Sequence, residues 1–153
     1  MAQAAQTYEH YTWDDYRSWP DDERWEIIGG RPVAMSPSPG SRHQKVCLRL
    51  GAALDAALRG KPCEAFIAPL DVKLSDADIV QPDVLVVCDP RKITNTHIEG
   101  TPDVVVEIAS PSTVVHDRLV KLRLYATFGV REYWIVTPDS HLIEVLLADG
   151  DSY

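Results

Sequence analysis

Apolar residues along the chain fall into short runs of two kinds, and their spacing predicts the elements. Val84–Cys88 and Val104–Ile108 are continuous and rich in β-branched residues, the pattern of buried strands. Arg42–Arg59 repeats at the helical period instead, which puts Val46, Leu50, Ala53, Leu54, Ala57 and Leu58 on a buried side, with Gly60 as the stop. Ahead of it, RWEIIGGRPVAMSP reads as two strands joined by the two-residue turn Gly29-Gly30. Pro37, Ser38 and Pro39 then break the sheet. A short helix capped by Thr12 comes first, after a polar start over Met1–Tyr11. Asp14 and Asp15 suit its first turn, Pro20 ends it, and Trp13, Tyr16 and Trp19 share one face.

Two further strands, Cys63–Ile67 and Leu70–Leu74, lie around Pro69, followed by a polar turn over Ser75–Ile79. Asp89–Gly100 carries little pattern and reads as a loop. Ser110-Pro111-Ser112-Thr113 stops the second apolar strand, and Ser112 or Thr113 caps a helix that runs to Phe128 and ends at Gly129. Glu132–Thr137 and Leu142–Leu147 form a hairpin around Pro138-Asp139-Ser140. Trp134 and Ile135 are expected to pack on the preceding helix. This order implies an α/β (α+β) fold, a mixed β-sheet flanked by helices, in one domain of residues 1–153. Asp149-Gly150 is a turn signal, and the residues after it read as the start of another strand, so a continuation beyond Tyr153 is expected.

A length of 153 residues allows a sizeable core, and a net charge of −8 argues against a surface covered in phosphate-binding residues. It leaves room for a local basic groove. Cys47, Cys63 and Cys88 have no CxxC spacing and read as core thiols in a reducing compartment. The first residues lack a signal-peptide pattern and no apolar run is long enough to span a bilayer, so a cytoplasmic protein without membrane contact is expected.

The candidate chemistry starts from Glu107, an acid inside an apolar run, where burial is costly unless the charge is paired or bound to a metal. Asp83 opens the neighbouring apolar run. Carboxylates meeting at adjacent strand ends make a hard, oxygen-rich pocket suited to Mg²⁺ or Mn²⁺, and the carbonyl of Ile108 can complete it. Without the cation, like charges held close raise one carboxyl pKa and trap a proton between them. Asp117, Lys121 and Tyr125 follow at i, i+4 and i+8 on one helical stripe. Each has a plainer reading: Asp83 and Asp103 both follow proline and suit turns, and Lys121 suits an exposed pair with Asp117, whose loss would barely move stability. Arg42, His43 and Lys45 form a basic patch at a helix start, read either as a solvated face or as a nucleic-acid contact. His10, His97, His116 and His141 show no zinc-ligand spacing, and there is no GxGxxG, phosphate loop or GxSxG.

WEIIGGRPVAMSPSPGSRH, QPDVLVVC, TPDVVVEIASPST and DRLVKLRLYATFGVREYWIV together resemble the Uma-type "putative restriction endonuclease" family of the PD-(D/E)xK nuclease superfamily. The resemblance implies a restriction-endonuclease-like core, a mixed sheet between helices, and metal-dependent phosphodiester cleavage. It implies Asp83 as the motif aspartate, Glu107 as the second metal-binding acid and Glu26 as an additional acid. The lysine of an E-x-K motif would fall at Ala109; in Uma-type proteins it is displaced to the following helix, where Lys121 matches. On this reading Lys121 positions the attacking water, Tyr125 orients Lys121 and Asp117 fixes it. The implied substrate is DNA, and cleavage of both strands favours a homodimer. Two other readings stay open: a non-catalytic nuclease-fold module binding nucleic acid or a protein partner, and a metal-dependent hydrolase of a small phosphoester.

Overall fold

The strands predicted from apolar patterning divide between two five-stranded sheets in the computed structural model, which describes residues 9–35 and 39–153. The chain's first eight residues and the break expected at Pro37 and Ser38 lie outside the described residues. The first sheet has the order β2 (Arg31–Ala34), β1 (Trp25–Ile28), β5 (Asp78–Val80), β4 (Asp71–Ser75), β7 (His97–Glu99). The second has the order β10 (Leu142–Leu147), β9 (Glu132–Thr137), β8 (Val104–Ile108), β6 (Val84–Val87), β3 (Glu64–Ile67). Each contains one parallel pair, β4 with β7 and β8 with β9, among antiparallel neighbours. The mixed α+β class is therefore as the patterning implied.

Side-chain alternation along the second sheet explains its two apolar faces. On one face Val84, Val106, Ile108, Val136 and Trp134 pack with Val46, Leu50 and Leu54 of the long helix α2 (Ser41–Leu58). On the other, Leu85, Val105, Tyr133 and Ile135 join Val72, Val80 and Ile98 of the first sheet and Leu124 and Tyr125 of the last helix. Burial on both faces is why these strands read as unbroken apolar runs. Trp134 is thus corrected: it faces α2, and only its neighbour Ile135 packs with the last helix. Along α2 the buried positions are Cys47 and Gly51 instead of Ala53 and Ala57, which are exposed. A Cβ at Gly51 would come 2.7 Å from a methyl of Ile67, so the glycine lets α2 approach β3 closely.

The first helix, α1 (Trp13–Tyr16), starts at Thr12, whose N–H donates to the Asp15 carboxylate at 2.8 Å and closes its first turn. The last helix, α3, spans residues 114–127 and is not uniform. Between α-helical Val114–His116 and Leu122–Thr127 lies a π turn, Asp117–Lys121. Gly129, at φ 74°, takes the left-handed conformation that ends it.

Three local expectations are corrected by pairing that the chain pattern does not display. Asp78 and Ile79 belong to a strand, because Ile79 pairs with both Ile27 and Lys73. The patternless stretch after Asp89 contains β7, held parallel to β4. Cys63 and Cys88 form a disulfide in place of two free core thiols, with Cα atoms 3.9 Å apart. Antiparallel pairing of Glu64 with Val87 carries these cysteines to facing positions one residue further on. Cys47 alone is a free, buried thiol. No helix among the described residues is long and apolar enough to cross a membrane.

Candidate active site

Glu26 comes from the first sheet, Asp83 and Glu107 from the second, and Lys121 from α3, so the site forms where these elements meet. The period of two along β1 and β8 turns Glu26 and Glu107 inward, toward α3. Lys121 Nζ donates to Glu26 Oε1 at 2.7 Å and to Glu107 Oε1 at 2.8 Å. Tyr125 donates its hydroxyl to the same Glu107 oxygen at 2.7 Å. The main-chain N–H of Gln81 donates to Glu26 Oε1 at 2.9 Å. Asp83 accepts from the N–H of Ile108 at 2.7 Å through Oδ2, while Oδ1 lies 3.2 Å from Nε2 of His43.

The π turn aligns the helix contribution. An α-helical step of four residues over-rotates by about 40°. The wider π turn rotates less per residue and offsets that drift, so Asp117, Lys121 and Tyr125 all stay on the buried side. Lys121 is therefore not the exposed partner of Asp117 that i, i+4 spacing allowed. It is only 3% exposed, and its ion-pair partners are Glu26 and Glu107. The amine missing at Ala109 reaches Glu107 from α3 instead.

Asp83 and Asp103 look alike in sequence but face different surroundings. Each sits just before a strand and accepts an N–H from the end of the neighbouring antiparallel strand: Asp83 from Ile108, Asp103 from Cys88 at 2.7 Å. Only Asp83 lines the acidic cavity, so the plain structural reading suffices for Asp103. The basic patch is also divided. Arg42 bonds Asp139 at 2.6 Å and the carbonyl of Pro138 at 2.9 Å, Lys45 is exposed, and His43 turns into the cavity against Asp83. Gln81 and His116 were not among the expected site residues. Gln81 lies two positions before Asp83, which was its only signal; His116 lines the cavity one residue before Asp117.

The electrostatics are unbalanced. Among the described residues the buried charged side chains are Glu26, Glu107, Asp117 and Lys121, three acids to one base. Burial pushes Glu107 up to about 8; Lys121 opposes the rise, and Asp83, Asp117 and Glu26 reinforce it. Burial likewise raises Asp117, and the Asp83 carboxylate raises His43. Burial alone would depress the Lys121 ammonium, but Glu107 and Glu26 override it and its pKa is raised. Lys121 thus bridges Glu26 and Glu107, while Asp83 is the acid that raises Glu107 most. Asp83, Glu107, Ile108, Asp117 and Lys121 all line a cavity of about 340 Å³. No three His, Cys, Asp or Glu side chains of the described residues already gather as a metal cluster. The donor set still suits a hard cation: Lys121 and Tyr125 occupy one oxygen of Glu107, the acids outnumber the buried ammonium, and Asp83, Glu107 and Asp117 bring carboxylate oxygens to a cavity that His43 and His116 also line.

Residues 13–153 match a family model described as "Uma2: Putative restriction endonuclease". The chain belongs to the Uma2 family. This Uma2 chain is 31% identical over 142 residues to an uncharacterized protein of Synechocystis sp., across 90% of this chain and 74% of the relative. Its fold matches the crystal structure of a putative nuclease from Anabaena variabilis ATCC 29413, with TM-score 0.75 and 20% identity. The match covers 90% of this chain and 80% of that one. The family supports a nuclease, and the structural match shows the fold.

Proposed function

We propose that this Uma2 protein is a divalent-metal-dependent DNA endonuclease of the PD-(D/E)xK type. The observation that carries the reading is the placement of a buried lysine from α3 on the acid of β8, with a second acid from β1 on the same ammonium. Asp83, Glu107 and the main-chain carbonyl of Ile108 would hold Mg²⁺ or Mn²⁺, which when bound polarises a phosphoryl oxygen and neutralises charge on the phosphate. Lys121 orients the attacking water and stabilises negative charge as it develops. Glu26 fixes the ammonium from the opposite side, and Tyr125 fixes Glu107. Asp117 adds negative potential beside Lys121 and helps to keep the amine protonated. His43 holds Asp83 from the cavity wall. Arg42 and Lys45 lie on the same helix end as His43 and would meet the DNA backbone at the cavity mouth. A second copy of the chain would supply the cut in the opposite strand.

The test is plasmid nicking with Mg²⁺ or Mn²⁺. Wild type should convert supercoiled DNA to the open form, and Glu107→Ala should not. A folded wild-type protein that leaves DNA intact with either metal would sink the reading.

A further inference from the structure

Beside the acidic cavity, and sharing Arg24 with it, lies a second cleft of about 530 Å³. Its walls are Trp13, Tyr16, Trp19 and Trp25, with Asp71 and Gln81 also lining it. These four aromatics are all partly exposed. They support one another: Trp13 stacks on Tyr16 with ring centres 5.9 Å apart, and Trp19 meets Trp25 edge-on at 6.0 Å. Polar groups in the cleft are fixed in direction. Tyr16 donates to Asp71 Oδ1 at 2.7 Å, and the Gln81 amide donates to Asp71 at 2.8 Å and to Tyr16 at 3.0 Å.

Gln81 connects the two cavities. Its side-chain oxygen accepts from Arg24 at 3.1 and 3.2 Å, and its main-chain N–H holds Glu26. We infer that the aromatic cleft receives an unpaired nucleobase of the DNA strand whose phosphodiester lies in the acidic cavity. This rests on the nuclease reading of that cavity. Aromatic walls suit any base, because every base offers a π-face, and the Asp71 carboxylate is an acceptor for a base amino group. Arg24, at the boundary, is placed for the phosphate between base and scissile bond. Asp21 and Glu23 also line the cleft. With Asp71 they outnumber Arg17 and Arg24 in the lining, which disfavours a phosphate backbone running through it and leaves an uncharged ring as the fitting occupant. The preferred substrate would then be single-stranded, frayed or mismatched DNA over a fully paired duplex.

The experiment separates binding from cleavage by using Ca²⁺ in place of Mg²⁺ and running the nicking assay in parallel. A single-stranded oligonucleotide should quench tryptophan fluorescence and bind more tightly than the same sequence fully paired. Trp19→Ala should weaken single-strand binding on the order of 10- to 100-fold, with Trp19→Phe restoring most of it. Because Trp19→Ala removes an anchor of α1, the wild type is also crosslinked to an oligonucleotide carrying 5-iodouracil. The crosslinked peptide should contain residues from Trp13 to Trp25. Crosslinks confined to other segments, equal affinity for paired and unpaired DNA, or quenching instead by a lysine-rich peptide would each overturn the inference. Nicking that succeeds while these binding results fail would leave the nuclease reading standing and remove only the base-binding cleft. Base binding without nicking would do the reverse to the reading, and would also overturn the link between the two cavities.

Discussion

Burying the Lys121 ammonium between Glu26 and Glu107 changes what its removal costs. An exposed pair contributes only about 0.3–0.5 kcal/mol. Breaking a buried pair by deleting one partner leaves uncompensated charge and costs about 3–5 kcal/mol. Lys121→Met is therefore expected to lower stability in chemical denaturation, contrary to the surface-pair expectation. Loss of the charge-stabilising group should also cut nicking on the order of 10²–10³-fold, measured where the variant is still folded. Adding Glu107→Gln should return part of the stability and none of the activity. The same burial sets a pH dependence in metal-free buffer. Glu107 is raised from 4.5 to about 8, and Asp117 is raised as well, so the unfolded chain releases these protons first. Stability should fall as pH rises from about 4.5 to about 8. His43, raised by Asp83, contributes stability that is likewise lost on raising the pH. Thermal melts in EDTA should show the decline, and Glu107→Gln should flatten it.

At the scale of elements, the π turn of α3 and the alternation of β9 decide which side chains meet. Tyr133 donates its hydroxyl to the carbonyl of Asp117 at 2.9 Å, tying β9 to that turn. Tyr133→Phe leaves a buried carbonyl without this donor and should cost about 1–2 kcal/mol. Amide exchange should then quicken first over residues 114–121, and an unchanged exchange rate there would show that the turn does not depend on the tyrosine. Trp134, on the opposite face of β9, packs with α2 and is only partly buried. Trp134→Ala should destabilise by about 2–3 kcal/mol, less than a fully buried tryptophan. The loss should loosen α2 and leave α3 protected.

Across the whole molecule, the site lies at the seam of two sheets, so anything that holds the sheets also holds the acids. The Cys63–Cys88 disulfide does this for one side of the seam only, linking β3 to the end of β6 within the second sheet over a separation of 25 residues. Replacing both cysteines by alanine should lower stability by about 3.5 kcal/mol, the loop-closure contribution of a link that long. Metal binding tests the seam directly. Calorimetry with Mn²⁺ should show one site that Asp83→Asn and Glu107→Gln each weaken strongly. Equal binding by wild type and both variants would remove the metal from the mechanism.

Local pattern was enough for most elements because a strand or helix declares itself through its own period. Val104–Ile108, Glu132–Thr137 and Leu142–Leu147 stand where apolar alternation and turn residues put them. Strands β5 and β7 escaped because each has three residues and exists through its neighbours more than through its own pattern. The disulfide escaped for the same reason, since Cys63 and Cys88 become opposite only once β3 and β6 are in register. Glu107 and Asp83 were legible as acids on neighbouring apolar runs, whereas Glu26 and the displaced amine of Lys121 were marked out by the family resemblance. Which of them would touch was not legible. Asp83 and Asp103 show the limit most clearly: both follow proline, both precede an apolar strand and both accept an N–H from the adjacent strand. Their local physics is the same. Only the arrival of β1 and α3 at one end of the β6–β8 pair makes one of them a wall of the acidic cavity, because burial and charge act through space between residues far apart in the chain.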